Sequence, residues 1–253
     1  MNKVHAQNSL SSSWGPDDES RRANVSLVDD GFRMVASVLD GLRRLGVLRR
    51  RASERKSKPL YQAKRSLGTE QRWELISSHL DERDQSLLDI GCNIGQLTRY
   101  AADKGLLSLG IDPLQRAIAS AREANHDVPH LAFMRSEVTP ETVAKIPSFD
   151  VILCLSVYHY WMEFYGEAAA WSLVERLIAR SRRKFFFEPA SLLKKYGAHP
   201  PPGVADLHRE GLADYHVRRL REAAGAGWTV LQLGETACLG RESFRLLFLL
   251  TRS

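Results

Sequence analysis

Leu87-Leu88-Asp89-Ile90-Gly91-Cys92-Asn93-Ile94-Gly95 is the stretch that decides the fold. A short apolar run, Ser86–Ile90, reaches a turn with glycines at its first and fifth positions, and Gly95–Lys104 then reads as a helix. Glycine suits a backbone that must turn sharply and admit a ligand with no Cβ in the way. Twenty-one residues after Gly91, Asp112 stands at the tip of the next apolar run, Leu107–Ile111. In nucleotide-binding α/β folds an acid about 20 residues on takes the ribose hydroxyls, and ligands lie at the carboxyl ends of the strands.

Outward from this stretch, strand and helix patterns alternate. Leu114–Ala124 reads as a helix, His130–Met134 as a strand and Thr139–Lys145 as a short helix with Thr139 as its cap. Phe149–Leu155 is a nearly continuous apolar run, as a strand buried on both faces should be. Ala168–Arg180 and Ala205–Ala224 read as helices and Lys184–Phe187 as a strand. Trp228–Leu233 and Phe244–Leu250 have no helix between them, so that pair is expected to be antiparallel. The sum is a doubly wound α/β fold: a mostly parallel, seven-stranded sheet with an antiparallel last strand. Ahead of it, Thr69–Leu80 is helical with Thr69 as N-cap. The domain expectation is a disordered tail over 1–24, a basic helical extension over 25–80 and the α/β domain over 81–253.

Composition agrees with one soluble domain plus an appendage. The chain has 253 residues, 43% hydrophobic and 26% charged, ordinary for a globular protein. No run approaches the roughly 18–20 apolar residues of a membrane span, and the polar first twenty residues contain no signal-peptide core. Cys92, Cys154 and Cys238 are odd in number and far apart. They form neither a disulfide framework nor a zinc site, no metal is expected, and a cytoplasmic setting follows. The net charge of +6 is uneven: residues 1–72 hold 15 Lys/Arg against 8 Asp/Glu, and Arg43–Lys58 holds eight of its sixteen positions as Lys or Arg. Val28, Phe32, Val35, Leu39, Leu42 and Leu45 draw an apolar helical stripe beside that run. It either packs on its own domain or touches a membrane surface peripherally, and the basic run is either a solvated linker or a nucleic-acid footprint.

The loop chemistry narrows the ligand. A dinucleotide site uses G-x-G-x-x-G and places a pyrophosphate at the helix start, and a P-loop needs G-K-[ST]. This loop is G-x-x-x-G with Asp89 two residues before it. A carboxylate there repels a diphosphate and attracts a cation such as the sulfonium and ammonium of S-adenosylmethionine. A dinucleotide-dependent oxidoreductase is thereby disfavoured.

The segment resembles motif I of the class I S-adenosylmethionine-dependent methyltransferases, acid-x-Gly-x-Gly-x-Gly. Asp89, Gly91 and Gly95 match, and Asn93 replaces the middle glycine. The form DIGCNIG, with Val151–Val157 and Glu188-Pro189, is similar to the methylphosphate-capping enzymes of small RNAs. Trp73–Leu80 with Gly110-Ile111-Asp112-Pro113 looks a little like transferases of tRNA wobble uridine. The resemblance implies S-adenosylmethionine as cofactor. It implies that Asp112 binds the ribose with Pro113 beside it, Glu137 the adenine amino group, and Val138 the adenine through its backbone. Cys92, Asn93 and Leu155 are implied to meet the methionine part.

The acceptor side is expected where the fourth strand ends, at Ser156-Val157-Tyr158-His159-Tyr160-Trp161. His159 is the first candidate base, because an unperturbed imidazole titrates near neutrality. Tyr158, Tyr160 and Trp161 either stack on an acceptor or belong to the core. Glu188, ending the fifth strand, is a candidate base, positioning group or ion-pair partner, and His199 and His208 are candidates for a lid. The Asp/Asn-Pro-Pro-aromatic motif of base-amine methyltransferases is missing. The expectation is an enzyme methylating an oxygen on a small molecule or glycan. Its alternatives are an RNA methyltransferase using Arg43–Arg65 and a non-catalytic methyltransferase-like subunit. Oligomeric state is not legible.

Overall fold

The computed structural model describes residues 66–190, 209–237 and 244–252. The expected tail, the Val28–Leu45 stripe, the Arg43–Lys58 run, Cys238, His199 and His208 lie outside the described residues. In chain order the elements are α1 (Ser66–Ser77), β1 (Ser86–Ile90), α2 (Gln96–Asp103), β2 (Leu107–Asp112), α3 (Gln115–Ala124) and β3 (Leu131–Arg135). A single 3-10 turn (Val143–Lys145) leads to β4 (Phe149–Leu155), α4 (Tyr158–Tyr165), α5 (Glu167–Arg180) and β5 (Ser181–Glu188). Then come α6 (Arg209–Ala224), β6 (Trp228–Ala237) and β7 (Phe244–Arg252).

The seven strands form one sheet in the order β3-β2-β1-β4-β5-β7-β6. β1 to β5 are mutually parallel, and β7 runs antiparallel to both β5 and β6. The order reverses between β1 and β4, which opens a ligand crevice at the carboxyl ends of these strands.

Strand alternation sorts the core into two layers. Leu88, Ile90, Ile152, Cys154, Phe185, Phe187 and Phe248 pack on one face, with α4, α5 and α6. Leu87, Val151, Leu153, Leu155, Phe186, Leu247 and Leu249 pack on the other, with Ile76 of α1 and Leu97 and Ala101 of α2. At the amino ends of the strands, Lys184 and Arg183 pair with Asp81 and Asp84. There Asp150 also accepts hydrogen bonds from Gln85 N and Ser86 N. These partners tie β1, β4 and β5 at the end opposite the crevice.

Three local expectations change. Thr69 lies inside α1 rather than capping it, and its hydroxyl accepts from Arg72 Nη2 at 3.1 Å. Residues 139–145 form turns and one 3-10 turn, with Thr139 and Thr142 bonding each other's main chain instead of starting an α-helix. The aromatic cluster after β4 is a helix, α4, and not an open strand tip. Tyr158, Trp161 and Met162, at i, i+3 and i+4, are its buried face, whereas Tyr160 and Phe164 are exposed.

Candidate active site

The alternation of β1 turns Asp89 to the same face as Leu87, so its carboxylate meets α2. Thr98 Oγ1 donates to Asp89 Oδ2 at 2.7 Å. Burial raises the Asp89 carboxyl to about 6, while the Thr98 hydrogen bond and the nearby Arg72 guanidinium hold it down and Asp112 pushes it up. An acid so placed ionises most readily when a cation arrives.

The turn that follows is held from β2. Gly91 N and Cys92 N both donate to Ile111 O, at 2.8 and 3.0 Å. Asp112 Oδ2 accepts from Asn93 N at 2.9 Å and Oδ1 from Leu114 N at 2.8 Å. Its carboxyl is raised by burial, against the pull of those two bonds. Asp112 therefore fixes the glycine loop as well as facing the crevice. Asn93 sits at φ 53°, a left-handed conformation that Asn accepts more readily than other non-glycine residues. This is why it can stand where the motif has glycine. Its Oδ1 is buried and has no hydrogen-bond partner.

The two glycines serve packing more than ligand approach. Both have positive φ, 72° at Gly91 and 79° at Gly95. A Cβ at Gly91 would lie 2.6 Å from Val157 Cγ2, and one at Gly95 would lie 2.3 Å from the Phe133 ring. They let the start of α4 and β3 close on the turn. Cys92 is buried beneath it, its thiol pushed well up by burial and by Asp89 and Asp112.

The remaining cofactor candidates line the same end of the sheet. Pro113 is exposed beside Asp112, Val138 is buried, and Leu155 is buried at the tip of β4. Glu137 is exposed, and burial of part of its surroundings raises its carboxyl. Tyr165 of α4 comes close enough for Glu137 and Glu141 to help raise its phenol, after burial.

The expected acceptor residues separate. Tyr158 is fully buried, its ring packed against Trp171 at 5.0 Å and Phe187 at 5.5 Å. It is part of the core. Trp161 is likewise buried, so of the expected stacking residues Tyr160 alone is exposed, its ring stacked on that of Phe164 with centroids 6.5 Å apart. His159 is buried at the start of α4, with Tyr160 at 4.2 Å. Glu188 is buried at the end of β5. Its Oε1 accepts from Ser156 Oγ, from Arg245 Nη1 at 2.8 Å and from Arg72 Nη1 at 3.5 Å.

Thr98, Arg72 and Arg245 were not singled out in the sequence. Thr98 was findable, because a helix following the glycine turn must lay one face over Asp89. Arg72 and Arg245 lie 116 and 57 residues from Glu188, and no spacing rule joins them. Among the described residues no His, Cys, Asp and Glu cluster could hold a metal, and no helix is long and apolar enough to cross a membrane.

The residues present suit a cationic nucleoside. Asp89 offers a buried carboxylate, Asn93 an unused buried acceptor, and Asp112 a second carboxylate at the tip of β2. Comparison with known proteins agrees. Residues 88–180 match a family model described as a methyltransferase domain. The U6 snRNA methylphosphate capping enzyme Amus of Drosophila melanogaster is 34% identical over 91 residues, covering 30% of each chain. The match thus takes in under a third of that relative's length. The bifunctional kinase-methyltransferase WbdD superposes with a TM-score of 0.58 at 21% identity, over 78% of this chain and 42% of that one. Magnesium protoporphyrin IX methyltransferase of Synechocystis PCC 6803, with bound S-adenosylmethionine, gives 0.52 at 20% identity, over 79% and 87%. At such identities these two structures bear on the fold alone. Residues 88–180 thus match a methyltransferase domain, and motif, strand order and this match together make the chain similar to the class I S-adenosylmethionine-dependent methyltransferases, enzymes whose cofactor is S-adenosylmethionine.

Proposed function

We propose that this chain transfers a methyl group from S-adenosylmethionine to an oxygen acceptor on a small molecule or glycan. The observation that carries this reading is the buried Asp89 carboxylate, held by Thr98 at the switch point of the sheet beside a loop pinned by Asp112. When bound, the cofactor supplies a methyl group on a sulfonium already activated for displacement. The chain's part is to bind, align and exclude water. Asp89 meets the positive charge, Asp112 and Pro113 the ribose side, and Glu137 and Val138 the adenine. Cys92, Asn93, Gly91, Gly95 and Leu155 shape the methionine end. His159 is the candidate base for a neutral hydroxyl, and Glu188 with Ser156 lines the acceptor side. Tyr158 supports α4 from the core.

The test is incubation with methyl-labelled cofactor and a panel of sugars, small hydroxyl and carboxyl compounds, and RNA, followed by mass spectrometry. Label on a small molecule or sugar supports the reading. Cofactor binding without any label would favour a non-catalytic subunit. A second reading, RNA methylation, is favoured by the similarity to a capping enzyme and by the basic Arg43–Lys58 run. Several phosphate contacts would make RNA affinity fall steeply with salt, and no binding at low salt removes it.

A further inference from the structure

We propose that the outward face of α4 is a docking surface for a cationic stretch of this same chain, the Arg43–Lys58 run. The surface lies beside the crevice, and the proposal stands whether or not the chain transfers methyl groups.

α4 buries Tyr158, Trp161 and Met162 and leaves Tyr160, Phe164 and Tyr165 exposed. Phe164 is 58% exposed, the most of any large apolar side chain among the described residues. Its ring lies 14° from the plane of Tyr160 and meets Tyr165 edge-on at 6.4 Å. Large apolar side chains scattered singly on a surface need no explanation, but a contiguous exposed group marks an interaction site.

The rim of this aromatic face is acidic. Glu163 precedes Phe164 on α4 and is partly exposed, and α4 itself carries no lysine or arginine. Glu137 and Glu141, both exposed in the turns after β3, are close enough to Tyr165 to help raise its phenol, after burial. Arg176, which reaches the same turns, gives its Nη1 to Pro140 O at 3.1 Å. An aromatic face attracts an ammonium or guanidinium held within about 6 Å of a ring centroid, and the three carboxylates add an attraction that salt screens. The same carboxylates repel a phosphate-bearing partner or an anionic membrane.

The chain supplies a matching cation. Eight of the sixteen residues from Arg43 to Lys58 are Lys or Arg, and they include Arg49-Arg50-Arg51. The first described stretch begins with α1, at Ser66. That end of α1 lies at the carboxyl ends of the strands. Arg72 reaches Glu188 at the end of β5, whereas Asp81 and Asp84, past the other end of α1, pair with Lys184 near the start of β5. α4 begins at the same end of the sheet, directly after β4. Arg51 is fifteen residues before Ser66, up to ~50 Å of extended chain. Strands lie about 4.8 Å apart, so crossing from β6 to β4 uses only about 15 Å of that reach. The remainder suffices to pass over the end of the sheet to the face that α4 covers. A tether of this kind turns a weak contact into an intramolecular one, at an effective concentration on the order of millimolar.

The test uses the full chain with p-benzoylphenylalanine in place of Phe164. Irradiation at low salt should join that position to residues 43–58 of the same molecule, read by mass spectrometry of the monomer. The yield should fall several-fold at about 1 M salt, where the Debye length is ~3 Å, and likewise when Arg49→Glu, Arg50→Glu and Arg51→Glu are combined. Should the substituted chain fail to fold by circular dichroism, carbodiimide coupling of the unaltered chain reads the same contact, as amide links from Lys56 or Lys58 to Glu137, Glu141 or Glu163. Cross-links confined to a covalent dimer would assign the face to a second copy and overturn the proposal. Cross-links only to other parts of the chain, none at all, or a yield indifferent to both salt and the triple variant overturn it as well.

Discussion

Asp89→Asn should make the cofactor-free protein more stable while ruining its use of cofactor. Burial raises the Asp89 carboxyl from 3.8 to about 6, so the folded chain holds this proton more tightly than the unfolded chain does. The group therefore favours folding below about pH 4, and that contribution is lost as pH climbs through about 6. A shift of about two units at about 1.4 kcal/mol each costs the folded state about 3 kcal/mol at pH 7.5, and about half of that at pH 5. Asparagine keeps the shape and can still accept from Thr98, but carries no charge to desolvate. Thermal unfolding of Asp89→Asn without ligand should rise at pH 7.5 by several degrees, at roughly 2–4 °C per kcal/mol for a chain of this size, and by less at pH 5. Added S-adenosylhomocysteine should then raise the wild type further and leave the variant unmoved. In the wild type, cofactor affinity should fall about tenfold from pH 7.5 to pH 5, because the carboxyl must first give up its proton. The reasoning is refuted if the ligand-free variant melts lower at pH 7.5, or if it keeps wild-type cofactor affinity.

Replacing Asp112 by Ala should weaken cofactor binding by about 1–3 kcal/mol, and hydrogen exchange at Asn93 and Leu114 should speed up, since their amides lose their acceptor. An unchanged dissociation constant would displace the ribose from this position. Gly95→Ala drives a Cβ into the Phe133 ring at a left-handed position, and urea unfolding should show a loss of about 2 kcal/mol or more. His216 is buried, and burial lowers its imidazole to about 4 against the opposing hydrogen bond to Leu212 O. The folded chain therefore sheds that proton, and its stability, intact above pH 6.5, falls as pH drops toward 4 by up to about 3 kcal/mol. This slope opposes that of Asp89 in the same window. Stability measured from pH 7 to 4.5 in His216→Phe should lose its decline on the acid side, and an unchanged decline would assign it elsewhere.

Much of the fold was legible because its signals are local. The apolar run at Phe149–Leu155 matched β4 residue for residue, and the helix-free gap before Phe244 foretold the antiparallel ending. The turn proposed to hold the donor was legible for the same reason. Asp89, Gly91, Asn93 and Gly95 lie within seven consecutive positions, and Asp112 is one strand away. The acceptor half was not. Sequence leaves Tyr158–Trp161 open between acceptor stacking and the core, and the helical spacing of Tyr158, Trp161 and Met162 makes their common face a packing face. Glu188 was visible as a carboxylate ending a strand. Its surroundings depend on Arg72 from the first described helix and Arg245 from the last strand, which only the assembled sheet brings together.

The central claim is that the β1 turn receives a positively charged nucleoside thioether donor. Its most direct test is calorimetric titration of the purified protein at pH 7.5 with S-adenosylmethionine, alongside NADH and ATP as phosphate-bearing competitors. Saturable binding of S-adenosylmethionine, abolished in Asp89→Asn and absent for the two phosphates, is the predicted result. Binding of either phosphate compound in its place, or no S-adenosylmethionine binding at all, contradicts the account.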